Sequence, residues 1–79
     1  KIGSFFPNPS FDYTSLSYNV EKPSLLQFMD ILGNIVKVIE IEGSGQKTIY
    51  TGDLHQGIYF GNLIQNGEIV TIKKLIINK

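Results

Sequence analysis

His55 is the only histidine of the chain, and Asp53 precedes it by two residues in the loop Gly52-Asp53-Leu54-His55-Gln56-Gly57. With a serine such as Ser44, these are the residue types of a nucleophile, its base and an orienting acid. Such a group works only when the base lies within hydrogen-bond reach of the nucleophile and is itself locked by a third side chain. The spacing imposes neither condition, and the plain reading is a solvated loop histidine. One histidine without any cysteine is too little for a zinc site. Asp12, Asp30 and Asp53 offer the oxygens calcium takes, but they lack the spacing of a calcium loop and read as turn carboxylates. Gly43, Gly45, Gly57, Gly61 and Gly67 neither open a helix nor lead to the lysine of a phosphate-binding loop. The expectation is a chain with no catalytic residue, no metal and no cofactor.

Composition narrows the class further. The 79 residues make one domain, and a domain of this size buries only about 60% of the surface its unfolded chain exposes. Seven lysines balance seven carboxylates, and arginine is absent. Nucleic-acid binders normally carry a basic excess and arginine forks, so no nucleic-acid partner is expected. Apolar runs of two or three residues fall far short of the roughly 20 a membrane helix needs. Met29 is the only methionine, so Lys1 is read as a position inside a longer protein, with any signal peptide lying upstream.

Alanine is absent while isoleucine, valine, threonine and aromatics abound, which favours strands over helices. Residues 1–12 form a lead-in with Pro7 and Pro9 two apart, each biasing its predecessor to an extended conformation. The remainder, 13–79, carries the domain. Tyr13–Val20 alternates, with Leu16, Tyr18 and Val20 on one face. Glu21-Lys22-Pro23 reads as a turn. Leu25–Ile31 is the second strand, with Leu26 and Phe28 on one face and Leu25, Gln27 and Met29 on the other. Ile35–Glu42 is the third strand, joined through Gly33 as a hairpin. Gly43-Ser44-Gly45 reads as a break before Gln46–Thr51. Ile58–Gln65 and Glu68–Ile77 flank Asn66-Gly67, the strongest hairpin signal in the chain. Six strands, or seven with part of the lead-in, predict two packed antiparallel sheets. One helical turn fits only near Asp53–Gln56.

Most of the nine aromatic rings are expected to alternate into the core. Displayed on a surface instead, they would make a stacking platform for sugars, although tryptophan is absent. Gly61 within a strand marks a bulge or a close packing contact. Lys73, Lys74 and Lys79 gather near the end of the last strand, where lysine discourages unwanted strand pairing.

Four stretches, taken in order, resemble a known family. They are Phe6-Pro7-Asn8-Pro9; Phe28-Met29-Asp30-Ile31-Leu32-Gly33 with Ile35-Val36; Leu54-His55-Gln56-Gly57-Ile58-Tyr59-Phe60; and Gly67-Glu68 followed by Lys73-Lys74-Leu75-Ile76-Ile77. This order is similar to the type A C-terminal sorting domain of the Bacteroidota type IX secretion system. That family opens on an aromatic-Pro-Asn-Pro and carries an Asp-x-x-Gly turn and a Gly-x-Tyr strand start. It ends on paired lysines and an apolar strand. The chain departs from it at Leu32-Gly33-Asn34, where many members carry Asn-Gly and then a basic residue, and at His55-Gln56, where Pro-Ser is common.

The resemblance implies an immunoglobulin-like β-sandwich and a chain that is a substrate of the secretion machinery. Its partners would be the translocon, outer-membrane shuttle and sortase proteins, and a covalently attached upstream cargo. The cargo would pass through the periplasm to the outer-membrane surface or the medium, with the domain cut away upstream of Phe6. Pro7, Asn8 and Pro9 would stiffen the junction to the cargo, and Asp30, Gly33 and Gly67 would form turns. Gly57 and Tyr59 would start a core strand, and Lys73, Lys74, Leu75, Ile76, Ile77 and Lys79 would present the recognition surface. A strand edge left open there would dock by strand addition or form a weak dimer. The other reading is a carbohydrate-binding or structural sandwich of a secreted hydrolase, which shares the fold but need not end its polypeptide.

Overall fold

The computed structural model describes residues 1–79. Four strands, β1 (Tyr13–Asp30), β2 (Ile35–Tyr50), β3 (Gly57–Gln65) and β4 (Glu68–Ile77), form one sheet in the order β2-β1-β3-β4. Every neighbouring pair is antiparallel. The chain is all-β as composition predicts, and the segment Asp53–Gln56 is a turn rather than a helix, closed by Leu54 N–H donating to Thr51 O at 3.0 Å.

The expected six to seven strands in two separate sheets are not seen. The paired segments lie where the sequence pattern puts them, but two presumed breaks are bends within continuous strands. At Glu21-Lys22-Pro23 the register passes from Val20↔Gly43 to Ser24↔Ile41, so three residues of β1 stand against Glu42 alone. Proline has no N–H to give a ladder, and a bulge is where a strand tolerates it. Gly43, at φ 73°, lets β2 follow the bend. Eighteen residues at about 3.3 Å each would extend about 59 Å, whereas the molecule is 34 Å along its longest axis. β1 therefore folds back at the bulge and carries β2 with it. Leu16 and Val20 before the bend, and Leu26 and Phe28 after it, join a single cluster of 13 buried apolar residues.

The hairpins are set by local chemistry. Asn66 and Gly67 both take positive φ, 54° and 77°, as a two-residue type I′ turn requires. The lead-in packs closely on the domain. Ile2 bridges to Tyr18 and Phe6 to Ser15, beside the first half of β1, and Ser10 then pairs in parallel with Ile77. Ile2 and Phe5 are buried in the core. Phe5 lies 5.5 Å from Phe28, ring centre to ring centre, and its Cζ stands 2.8 Å from where a Cβ on Gly61 would be. Gly61 thus marks close packing. The buried Ser10 and Thr51 hydroxyls pair at 2.7 Å, which satisfies both.

Candidate recognition surface

The residues that spacing offered for catalysis do not converge. Ser44 sits in β2 opposite Asn19, and His55 is exposed in the β2–β3 loop. The seven steps of extended chain from Ser44 to Thr51 cover about 23 Å, and Asp53 is held by Lys37 at 3.1 Å. Nor do Asp12, Asp30 and Asp53 gather, since no three His, Asp or Glu side chains group as a cation would need.

Asp30 closes the β1–β2 hairpin. Its Oδ1 accepts the backbone N–H of Leu32 and of Asn34, both at 2.9 Å, and its Oδ2 accepts Asn34 Nδ2 at 3.2 Å. The Asn34 N–H does most to hold the carboxyl below its ordinary 3.8, because it bonds the charged form. Gly33 takes φ 87° in this turn, a conformation that costs a glycine nothing. Gly57 opens β3 opposite Ile77, and Tyr59, two residues on, is buried. The Tyr59 hydroxyl donates to His55 O at 2.6 Å. Burial pushes its pKa up, and the nearby Asp30 charge adds to this.

The terminal strand divides by face. Leu75 and Ile77 are 0% exposed and belong to the core, so the expectation that they present a recognition surface is corrected. The strand period of two forces this, because Tyr59 across from Leu75 also faces inward. Lys73, opposite Gly61, stays half exposed at the rim of that inner face. Lys74, opposite Phe60, and Ile76, opposite Ile58, lie on the outer face. Lys79 is tied down, its Nζ donating to Gly52 O at 2.7 Å and its N–H to Gln56 Oε1 at 3.1 Å.

Lys74 and Ile76 have neighbours that sequence reasoning overlooked. Ile72 (58% exposed) and Ile58 (43%) stand outward with Met29, Phe60 and Ile76 around Lys74, while Val38 (49%) lies across the polar Gln27 and Asn62 on the same face. Scattered exposed apolar residues are ordinary, but a contiguous set marks a contact surface. The signal was present in Ile58-Tyr59-Phe60 and Leu75-Ile76-Ile77, where apolar residues fall at successive positions. A strand so composed is apolar on both faces. The aromatic rings divide differently from expectation. Phe5, Phe28 and Tyr59 are buried, while Phe6, Phe11, Tyr13 and Tyr50 are exposed. Tyr13 and Tyr50 pair across the ladder with rings tilted by 57°, so the two do not present one plane to a sugar.

Fold and surface together describe a small all-β module with an apolar face available for binding. The family model for secretion system C-terminal sorting domains matches residues 4–78, and the chain belongs to that family, the sorting signal of type IX secretion. Membership makes it part of a protein exported across the outer membrane. Comparison with curated proteins and with solved structures gave no match.

Proposed function

We propose that the domain is a non-catalytic address. It delivers a covalently attached cargo to the type IX translocon and outer-membrane shuttle, which read the outer face of β3 and β4 around Lys74. The observation that carries the surface reading is the exposure of Ile58 and Ile72 beside Lys74, on strands whose inner faces bury Tyr59, Leu63, Leu75 and Ile77. An apolar patch gives a partner area to desolvate, and a lysine at its centre fixes orientation. Five of the six C-terminal residues named from the family pattern then act in two ways, while Lys79 stays tied to Gly52 and Gln56. Leu75 and Ile77 hold the strand in place, and Lys74 and Ile76 are read, with Lys73 at the rim. In this account the cargo crosses the periplasm and reaches the cell surface or the medium. A sortase then cuts ahead of Phe6.

The test is a fluorescent reporter carrying residues 1–79 at its C-terminus, in a host with a working type IX system and in a mutant lacking it. Reporter outside the first host and retained in the periplasm of the second is the expected result. Retention in both would refute the address as sufficient and favour the glycan-binding sandwich.

A further inference from the structure

β4 is an edge strand, and its outer edge is only partly open. Period two points the N–H and C=O of Ile72, Lys74 and Ile76 away from β3. At Lys74 the C=O is occupied, and at Ile76 both groups are. Asn8 Nδ2 donates to Lys74 O at 3.0 Å, and Ile76 N–H donates to Asn8 Oδ1 at 2.9 Å. One carboxamide thus offers both a donor and an acceptor, as the backbone of a neighbouring strand would. Ser10 N–H donates to Ile76 O at 2.7 Å, and Asn78 N–H to Ser10 O at 2.9 Å, which closes the edge beyond it. Two side-chain bonds also brace the lead-in in this position. Thr14 Oγ1 donates to Pro7 O at 2.9 Å, and Ser10 Oγ to Tyr13 O at 2.9 Å.

We propose that Asn8, set between Pro7 and Pro9, is an edge guard: it blocks the C-terminal half of β4 from pairing with the β4 of a second copy. Unpaired edges are templates for further strands. With Asn8 in place, the open stretch of β4 ends at the Lys74 N–H, too short for a stable ladder. Without it, Lys74 O and Ile76 N–H are freed and the open edge extends to the point where Ser10 holds Ile76 O. Two copies then meet antiparallel about a two-fold axis, each offering the same edge. Centred on Ile72, the pairing sets Lys74 against Val70 of the other copy, so like charges do not meet. The net charge of zero supplies no general repulsion between copies.

Sedimentation of residues 1–79 and of Asn8→Ala over a concentration series tests this. The unaltered chain is expected to remain monomeric, and Asn8→Ala to self-associate at least about ten-fold more tightly. Adding Ile72→Pro to Asn8→Ala should restore the monomer, since proline removes an N–H that faces the edge and not β3. A folded Asn8→Ala that stays monomeric overturns the proposal. So does a dimer that survives Ile72→Pro, which would place the contact away from this edge. Should Asn8→Ala fail to fold, amide exchange in the unaltered chain decides. Protection of the Ile76 amide well beyond that of Ile72 is expected, and equal exchange of the two overturns the guard.

Discussion

The inner and outer faces of the β1–β3–β4 half of the sheet are built from the same residue types with opposite fates. Leu26, Phe28, Leu63 and Leu75 point inward and are almost completely buried, while Leu25, Ile58 and Ile72 alternate with them along the same strands and stand in solvent. Hydrophobicity alone does not separate the two sets; position relative to the bend in β1 does. The bend at Val20–Ser24 brings Leu16, Val20 and Ile49 over one face only, and the lead-in adds Ile2 and Phe5 to that face. The other face carries no further layer of this chain, and of its residues on these strands only Asn62 is buried. Stability therefore resides on one side of the strands, and the surface left for a partner lies on the other.

Substitutions on the two sides should differ in size and in kind. Phe28→Ala removes the ring that meets Phe5 at the centre of the core and should cost about 3–5 kcal/mol. That is a large part of what a small domain holds, and a urea titration should show the midpoint collapse. Gly61→Ala drives a methyl group toward Phe5 and should cost about 1–3 kcal/mol by the same measurement. An unchanged midpoint would mean that Phe5 does not seal the inner face. Tyr59→Phe keeps the ring in the core and loses the bond to His55 O, a change of about 0.5–1.5 kcal/mol.

Asp30 adds a pH-dependent contribution at the end of the hairpin. Its carboxyl is held below the ordinary 3.8 in the folded chain, so the stabilisation is present above that value. It is lost as pH falls through the lower, folded-state value. Urea midpoints measured from neutral pH into this acid range should fall in the unaltered chain and fall less in Asp30→Asn. The smallest effect on stability belongs to the outer face, where Ile72→Thr keeps the β-branched shape and should shift stability by less than about 0.5 kcal/mol.

Much of the fold was legible because turn chemistry and period-two alternation act locally. Asn66-Gly67, the Asp30–Asn34 hairpin and the two faces of Leu25–Met29 all lie where the pattern puts them. Glu21-Lys22-Pro23 and Gly43-Ser44-Gly45 misled, because proline and glycine signal a departure from regular pairing without saying whether the chain reverses or bulges. That choice depends on the partner strand, and here the two irregularities face each other across one ladder. The surface was legible only in part for a similar reason. Lys74 and Ile76 were named from the family pattern, but Leu75 and Ile77 were named with them, since a motif does not record which side of a strand is covered. Ile58 and Ile72 went unnoticed as surface residues because they look like core residues, and Asn8 was read only as stiffening the junction because its partners Lys74 and Ile76 lie more than sixty residues away.

The central claim is that the secretion machinery reads the outer face independently of fold stability. The direct test is secretion of the reporter fused to residues 1–79 bearing Ile58→Thr, Ile72→Thr and Lys74→Ala together, with the urea midpoint of the same variant measured in parallel. The account predicts a folded domain with a nearly unchanged midpoint and reporter retained in the periplasm. Full secretion of that folded variant would contradict it.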